Sequence, residues 1–331
     1  PARSGVMKRF ALPAVLLFSL LCVAVAPFVG MHSVSWEDIL RSGGNGGRIF
    51  WELRLPRVLL GWITGATLSL CGMVFQALFR NDLASPDMLG VSTGAAFGAV
   101  LSIRFGFSFT VFGLFSALST SAFLGAMLAT AVIYAAGTLR GGGMSEGTLL
   151  LAGIAISFLF GSLNMIVQYG GGYVDTFRIM RWSMGGIQTA GFDSVRAALP
   201  GLLLIFCTAR LCSRELNLFV CGEELAMSRG VPAERMRRLL FLAVSLAVGV
   251  NVALCGPIGF VGLMVPHICR SLVGSDHSRL CGASLLFGGG FLVLCDTAAR
   301  TLWAPAEIPV GALTSSIGSF FFLWLLLRKK R

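Results

Sequence analysis

Lysine is almost missing from this chain. Its 331 residues hold only Lys8, Lys329 and Lys330, so no G-x-x-x-x-G-K-[ST] phosphate loop can exist in its interior. Charge of either sign is scarce, at 12% Asp, Glu, Lys and Arg, against roughly 25% in soluble domains. The apolar runs are nearly free of carboxylates. Asp296 is the exception, and Arg300 four residues on makes it read as half of a structural ion pair. A carrier driven by protons or sodium would keep acids at mid-membrane, so that class fits poorly. No C-x-x-C pair occurs among the nine cysteines, which read as buried free thiols. None of His32, His267 and His277 stands at ligand spacing from another. His267-x-Cys269 is a weak metal signal, and the histidines read as capped or interfacial. Gly90-Val-Ser92-Thr-Gly94 fits G-x-S-x-G, but no strand precedes it and no His or acid is placed to serve it. No acid–base or metal constellation for a membrane enzyme is visible.

What is present is hydrocarbon-compatible sequence. The chain is 56% hydrophobic with a mean hydropathy of +0.83. Charge-free runs cover residues 10–36, 58–79, 105–139, 147–174, 239–269 and 308–327. A helical span needs about 20 apolar residues, so the longer runs hold a span plus a turn or a second span. The alternation of barrel strands is not seen. Ten spans are predicted, at 10–29, 55–79, 88–103, 111–136, 148–169, 195–211, 239–254, 258–273, 280–298 and 310–327. Residues 1–6 precede Met7 and read as a remnant or upstream translation. Met7-Lys-Arg before an apolar run mimics a signal peptide, but Pro27 after Ala24-Val-Ala26 is a poor cleavage context, so this stretch is kept as the first span. The net charge of +11 is read as positive-inside bias and not as a nucleic-acid footprint. Lys8-Arg9 and the tail Arg328-Lys329-Lys330-Arg331 place both termini inside, which requires an even number of spans.

One stretch, 214–238, is a dense island of charge. Mid-membrane depth would cost about 3 kcal/mol for each Arg or Glu, so it must be an aqueous loop. Leu216, Leu218, Phe219, Leu225 and Met227 lie among the charges as in short amphipathic helices. Gly230-Val-Pro232 reads as a helix stop and restart. Two short helices with an apolar stripe point to a docking surface for a cytoplasmic motor, with an ordinary solvated loop as the plain alternative. Gln76, Asn164, Gln168 and Asn251 inside the spans read mainly as ties between helices. Gly61 and Gly65, then Gly90, Gly94 and Gly98, are spaced for close helix contact. Arg57-Val-Leu-Leu leading to Leu70-Cys71-Gly72 echoes Arg238-Leu-Leu-Phe leading to Leu254-Cys255-Gly256, as an inverted repeat would. Arg54, Arg57, Arg178, Arg181 and Arg300 fall outside, against the bias. They suggest an acidic partner or anionic cargo, with surface solvation as the alternative.

Four stretches then carry a resemblance: Leu53-Arg-Leu-Pro-Arg57; Arg80-Asn-Asp-Leu-Ala-Ser-Pro-Asp-Met-Leu-Gly-Val-Ser-Thr-Gly94; Gly256-Pro-Ile-Gly-Phe-Val-Gly-Leu-Met-Val-Pro-His-Ile-Cys-Arg270; and Glu307-Ile-Pro-Val-Gly311. Together they resemble the FecCD-type permeases of ATP-binding-cassette (ABC) importers for ferric siderophores, haem or cobalamin. The resemblance runs from Lys8 to Arg331. It implies an all-α membrane fold of about ten transmembrane helices in an inverted five-plus-five repeat. The chain would be one permease domain, 1–331, with halves 7–170 and 171–331 and a coupling segment at 212–238.

The resemblance also implies partners. Two cytoplasmic ATPases would carry ATP and Mg, and this chain would hold no cofactor, metal or catalytic residue. A periplasmic or lipid-tethered binding protein would deliver cargo, and a second permease subunit would complete a homodimer or heterodimer in the inner-membrane lipid. Coupling falls on Leu218, Gly222, Glu223, Glu224, Ala226, Gly230 and Arg235. Binding-protein docking falls on Arg54, Arg57 and Arg300. An inner gate falls on Asn81, Leu83, Glu146 and Gly147. The family's Asn-Pro-Leu at the gate is Asn81-Asp82-Leu83 here. The implied mechanism is alternating access. The alternatives are a corrinoid permease of the same family and a motor-independent secondary carrier. Arg178 and Arg181 lean toward an anionic iron chelate or haem.

Overall fold

The computed structural model describes residues 2–30, 45–111, 113–139 and 146–328. His32, Arg41, Arg140 and residues 329–331 lie outside them. Thirteen helices carry the described fold: α1 (Ala2–Val25), α2 (Leu55–Leu78), α3 (Val91–Phe105), α4 (Ala117–Leu139), α5 (Glu146–Tyr169), α6 (Tyr173–Ser183), α7 (Asp193–Leu211), α8 (Ser213–Cys221), α9 (Glu223–Ser228), α10 (Ala233–Cys255), α11 (Val261–Val273), α12 (His277–Thr301) and α13 (Val310–Arg328). A helical turn at Asn45–Arg48 and a π-helical segment at Ile49–Arg54 run directly into α2. Eight of the helical stretches are long and apolar enough to cross a membrane, and α3 and α11 are shorter apolar helices. The ten predicted spans are therefore all represented. The short ones are the third of the first five and the third of the second five, the relation an inverted repeat would produce.

The core forms around α2, whose side chains from Leu60 to Leu78 are buried almost without interruption. Small residues allow its neighbours close. A methyl group on Gly65 would lie 2.2 Å from the Gly288 carbonyl oxygen of α12, and one on Gly72 would lie 1.7 Å from that of Gly262 in α11. Backbones approach to this degree where the facing helices offer small residues. Gly94 and Gly98 of α3 likewise meet Gly125 and Ser121 of α4. Gly90 is not part of that face: it caps α3 at φ 71° and packs against Gly153 and Ser157 of α5.

The turn between α10 and α11 does not lie at the end of the bundle. Cys255 Sγ is 3.5 Å from Thr64 Oγ1, about two and a half turns along α2. Backbone polar groups at that depth need internal partners. Gly186 N donates to Cys255 O at 2.8 Å, and Gly311 N to Gly185 O at 3.3 Å. Three chain segments thus satisfy one another's main chain inside the bundle, and α11 is short because it starts there.

Two expected boundaries change. The start of the fourth span, expected at 111, instead belongs to a tight antiparallel pair, Thr110 with Ser116 and Val111 with Phe115, and α4 begins only at Ala117. The helix expected at 239 begins at Ala233, so Glu234, Arg235, Arg237 and Arg238 lie on α10. The amphipathic helix α6, which no apolar run signals, follows α5 directly.

Candidate functional site

At one end of the bundle, α8 and α9 form the two short helices expected of the charged island. Gly222, at φ 128°, separates them, and Gly230, at φ 82°, ends the second. They close over a small apolar core of Phe219, Ala226, Val231 and Ala233, with Leu218 and Met236 packed against it. Burying a side chain such as Phe219 contributes roughly 1.5–3 kcal/mol, which is what fixes so short a pair. Ala226 is therefore internal, and Leu218 is half-buried. Glu223 is committed as well: its Oε2 accepts from Nη2 of the buried Arg237 at 2.6 Å. Glu224 and Arg235 are exposed. So are the apolar side chains of Val220, Leu225 and Met227.

Residues not singled out in the sequence join this unit to the rest. Asn217 Nδ2 donates to Asp276 Oδ1 at 2.9 Å. Its Oδ1 accepts from His277 N at 2.9 Å and lies 2.7 Å from His277 Nδ1, so that ring nitrogen carries the proton. Asp276 also caps α12 by accepting from Ser278 N at 3.2 Å, and Ser278 Oγ donates to Ser213 Oγ. The Asn217 bond holds the Asp276 carboxyl below its ordinary value, helped by the Ser278 amide and nearby Arg279 and His277. Asp276-His-Ser278 before an apolar run is an N-cap signal, and Asn217 interrupts the stripe of α8. Those were the available clues.

α12 runs about 37 Å, at 1.5 Å per residue, to a charge cluster at the opposite end. There Arg57 donates Nε to Asp296 Oδ2 at 3.0 Å and Nη2 to Oδ1 at 3.0 Å, while Nη1 reaches Glu307 Oε2 at 3.0 Å. Arg300 Nε lies 3.3 Å from Asp296 Oδ2, so the pair expected on one helix face is present. Arg300 Nη2 also donates to Ala26 O at 3.3 Å, and Arg54 Nη1 to Pro27 O at 3.1 Å. The structure thus brings Arg54, Arg57 and Arg300 together, but as buried or half-buried groups with internal partners. Asp296 is 4% exposed and Arg57 17%, whereas Glu307 at 42% faces outward.

The gate residues are split between two places. Asn81 Oδ1 accepts from Leu83 N at 2.9 Å in an exposed turn after α2. Asp82, the departure from the family pattern, pairs with Arg270 near the end of α11, and Arg270 also donates to Gln76 Oε1. Gln76 Nε2 donates to Leu263 O at 3.0 Å, so this residue does tie helices together, whereas Asn251 bonds only to its own helix through Ala247 O. Glu146 opens α5, and its side chain lies outside the described residues. Gly147 is exposed, with open space where a methyl would stand.

A cavity of about 750 Å³ opens near the Arg57 end, between α3, the start of α4, α6 and α7. Arg178, Arg181 and Trp182 of α6 line one side, and Ala253, Leu254 and Cys255 at the end of α10 also contribute.

The profile of the FecCD transport family matches residues 16–328. The chain belongs to this family. A vitamin B12 import system permease protein, BtuC, of Yersinia pseudotuberculosis is 36% identical over 323 residues, covering 96% of this chain and 92% of that protein. The cobalamin import system permease protein BtuC of Halobacterium salinarum is 41% identical over 278 residues, covering 84% of this chain and 73% of that protein. A hemin transport system permease protein, HmuU, of Yersinia pestis is 36% identical over 328 residues, 98% of this chain and 97% of that one. A solved metal-chelate type ABC transporter chain, in an inward-facing conformation, superposes with a TM-score of 0.86 at 32% identity, over 96% of this chain and 98% of that chain. This FecCD chain is a multi-pass membrane permease of the ABC type.

Proposed function

We propose that this FecCD permease imports a metal chelate, a ferric siderophore or haem, across the inner membrane by alternating access. The observation that carries the reading is the exposed apolar side chains of Val220, Leu225 and Met227 on the α8–α9 unit, which Asn217 holds to the start of α12. Large apolar side chains exposed on a charged aqueous unit call for a protein partner. Two cytoplasmic ATPases, holding ATP and Mg, dock there, and both termini lie on that side. A second copy of this chain covers part of the apolar girdle left by α5 and α13, and lipid covers the rest. A binding protein seats over the Arg54, Arg57 and Arg300 cluster at the other end. A corrinoid cargo is the second reading, supported by the cobalamin relatives at 36% and 41% identity.

The test is substitution of Leu225 and Met227 by Asp. The cognate ATPase should no longer co-purify, while the thermal midpoint of the permease stays within about 2 °C, because neither residue is buried. Retention of the ATPase places docking elsewhere.

A further inference from the structure

Arg54, Arg57, Arg178, Arg181 and Arg300, all at the outer end of this permease, fall into two groups. Arg54 and Arg300 are buried and Arg57 is half-buried, held against backbone carbonyls, Asp296 and Glu307. Arg178 and Arg181 are exposed, three residues apart on one face of α6. Neither is in an ion pair among the described residues. The carboxylate on their own helix, Asp175, faces Arg104 at 3.7 Å instead. Gln188, with its amide oxygen turned toward Arg181, accepts from Nη2 at 3.0 Å. That bond fixes the guanidinium without neutralising it.

Both arginines line the 750 Å³ cavity, a volume in the range that encloses a small-molecule ligand. Among the described residues no Asp or Glu lines it. Ser102, Ser116, Ser119 and Ser194 supply hydroxyls, and Phe107 and Trp182 supply apolar surface. Its deep side is the last turn of α10, beside the interior crossing of 185–186, 255–257 and 311. The cavity therefore opens outward and ends at the level where the chain segments meet. Two like charges one turn apart repel, and nothing in the wall offsets them. A ligand that brings its own negative charge does.

We infer that this cavity is a selectivity vestibule for an anionic metal chelate, whose carboxylate or equivalent oxygens are held by Arg178 and Arg181 while its body lies against Trp182 and Phe107. Guanidinium forks suit such oxygens bidentately. Uncharged cargo gains nothing from the pair. This deepens the importer reading and rests on it.

The test uses the full chain in phosphatidylcholine nanodiscs and reads quenching of Trp182, isolated by subtracting a Trp182→Phe variant. The probes are haemin, ferric dicitrate, haemin dimethyl ester (the same ring without free carboxylates) and cyanocobalamin. At least one of the two anionic probes should bind saturably and at least tenfold tighter than the last two. Arg178→Gln with Arg181→Gln should weaken that probe at least tenfold and leave the ester unchanged. Arg178→Lys with Arg181→Lys should retain most of the binding, which controls for damage to the fold. Equal binding of charged and uncharged probes, or Gln variants that bind as wild type, overturns the inference. Uptake into proteoliposomes with ATPase and binding protein separates the two levels. ATP-driven uptake of cyanocobalamin that is unaltered by the Gln pair, without preference for an anion, removes the vestibule and leaves the importer. No ATP-driven uptake of any probe removes the importer reading itself.

Discussion

Asn217 donates to Asp276 at 2.9 Å and so binds α8 to the first turn of α12, the helix whose other end carries Asp296 and Arg300. This contact makes the exposed α8–α9 unit and the distant charge cluster parts of one rigid connection. Breaking it should separate docking from transmission. Asn217→Ala leaves the His277 amide and the Asp276 carboxylate without this partner, at about 1–3 kcal/mol. The ATPase should still co-purify, because the exposed Val220, Leu225 and Met227 are unchanged. Stimulation of ATP hydrolysis by the binding protein should fall at least fivefold, measured in proteoliposomes.

The same latch gives a pH expectation. Asp276 has its carboxyl below the ordinary value in the folded chain, chiefly through the Asn217 bond. A depressed acid stabilises the fold above its unfolded value, about 3.9, and that contribution is lost as pH falls through the folded value. Hydrogen exchange in 213–221 should therefore show no loss of latch protection between pH 7 and pH 5, and loss only below the ordinary carboxylate range. In Asp276→Asn that acid-dependent step should vanish.

At the opposite end, the buried carboxylate and the exposed one should behave differently. Asp296→Asn removes the charge that faces both Arg57 and Arg300, leaving Arg300 without its carboxylate and Arg57 with only the half-exposed Glu307. Breaking a buried pair from one side costs about 3–5 kcal/mol, visible as a lowered thermal midpoint in detergent. Glu307→Gln touches a half-exposed pair, where the loss is about 1 kcal/mol or less. It frees Nη1 of Arg57, so affinity for an acidic binding protein should rise severalfold in surface plasmon resonance.

Asp82 has acquired a partner that proline could not hold. Asp82→Pro should release the 81–83 turn from Arg270, and basal ATP hydrolysis should rise about two- to fivefold. Exchanging the two charges, Asp82→Arg with Arg270→Asp, should bring it back toward wild type. Equal basal rates in all three proteins would show that the pair does not restrain the turn.

Much of this arrangement was legible in the chain. Hydrocarbon length and charge located the spans and the 214–238 island, and Gly230 and Pro232 marked the break between α9 and α10. The burial of Arg57 was not legible, because its partner Asp296 lies 239 residues away and only the folded bundle brings them together. Nor was the commitment of Glu223, since the island holds several arginines and sequence does not say which one faces it. Residues 111–116 were absorbed into a span because their composition is apolar, and composition is blind to a hairpin. α6 was missed for the opposite reason, since its arginines and Asp175 broke the apolar pattern. The depth of the α10–α11 turn was hinted at by Gly256-Pro257, but a Gly-Pro pair marks a turn without giving its height.

That turn has a further consequence. Where residues 185–186, 255–257 and 311 cross, these segments are bonded to one another amide to carbonyl. A side chain at Gly185 or Gly311 would run into the Pro257 or Met184 carbonyl, so evolutionary tuning for different passengers would fall on the walls above and below the crossing. The hinge between the two mouths can then stay the same while the chemistry at either mouth drifts.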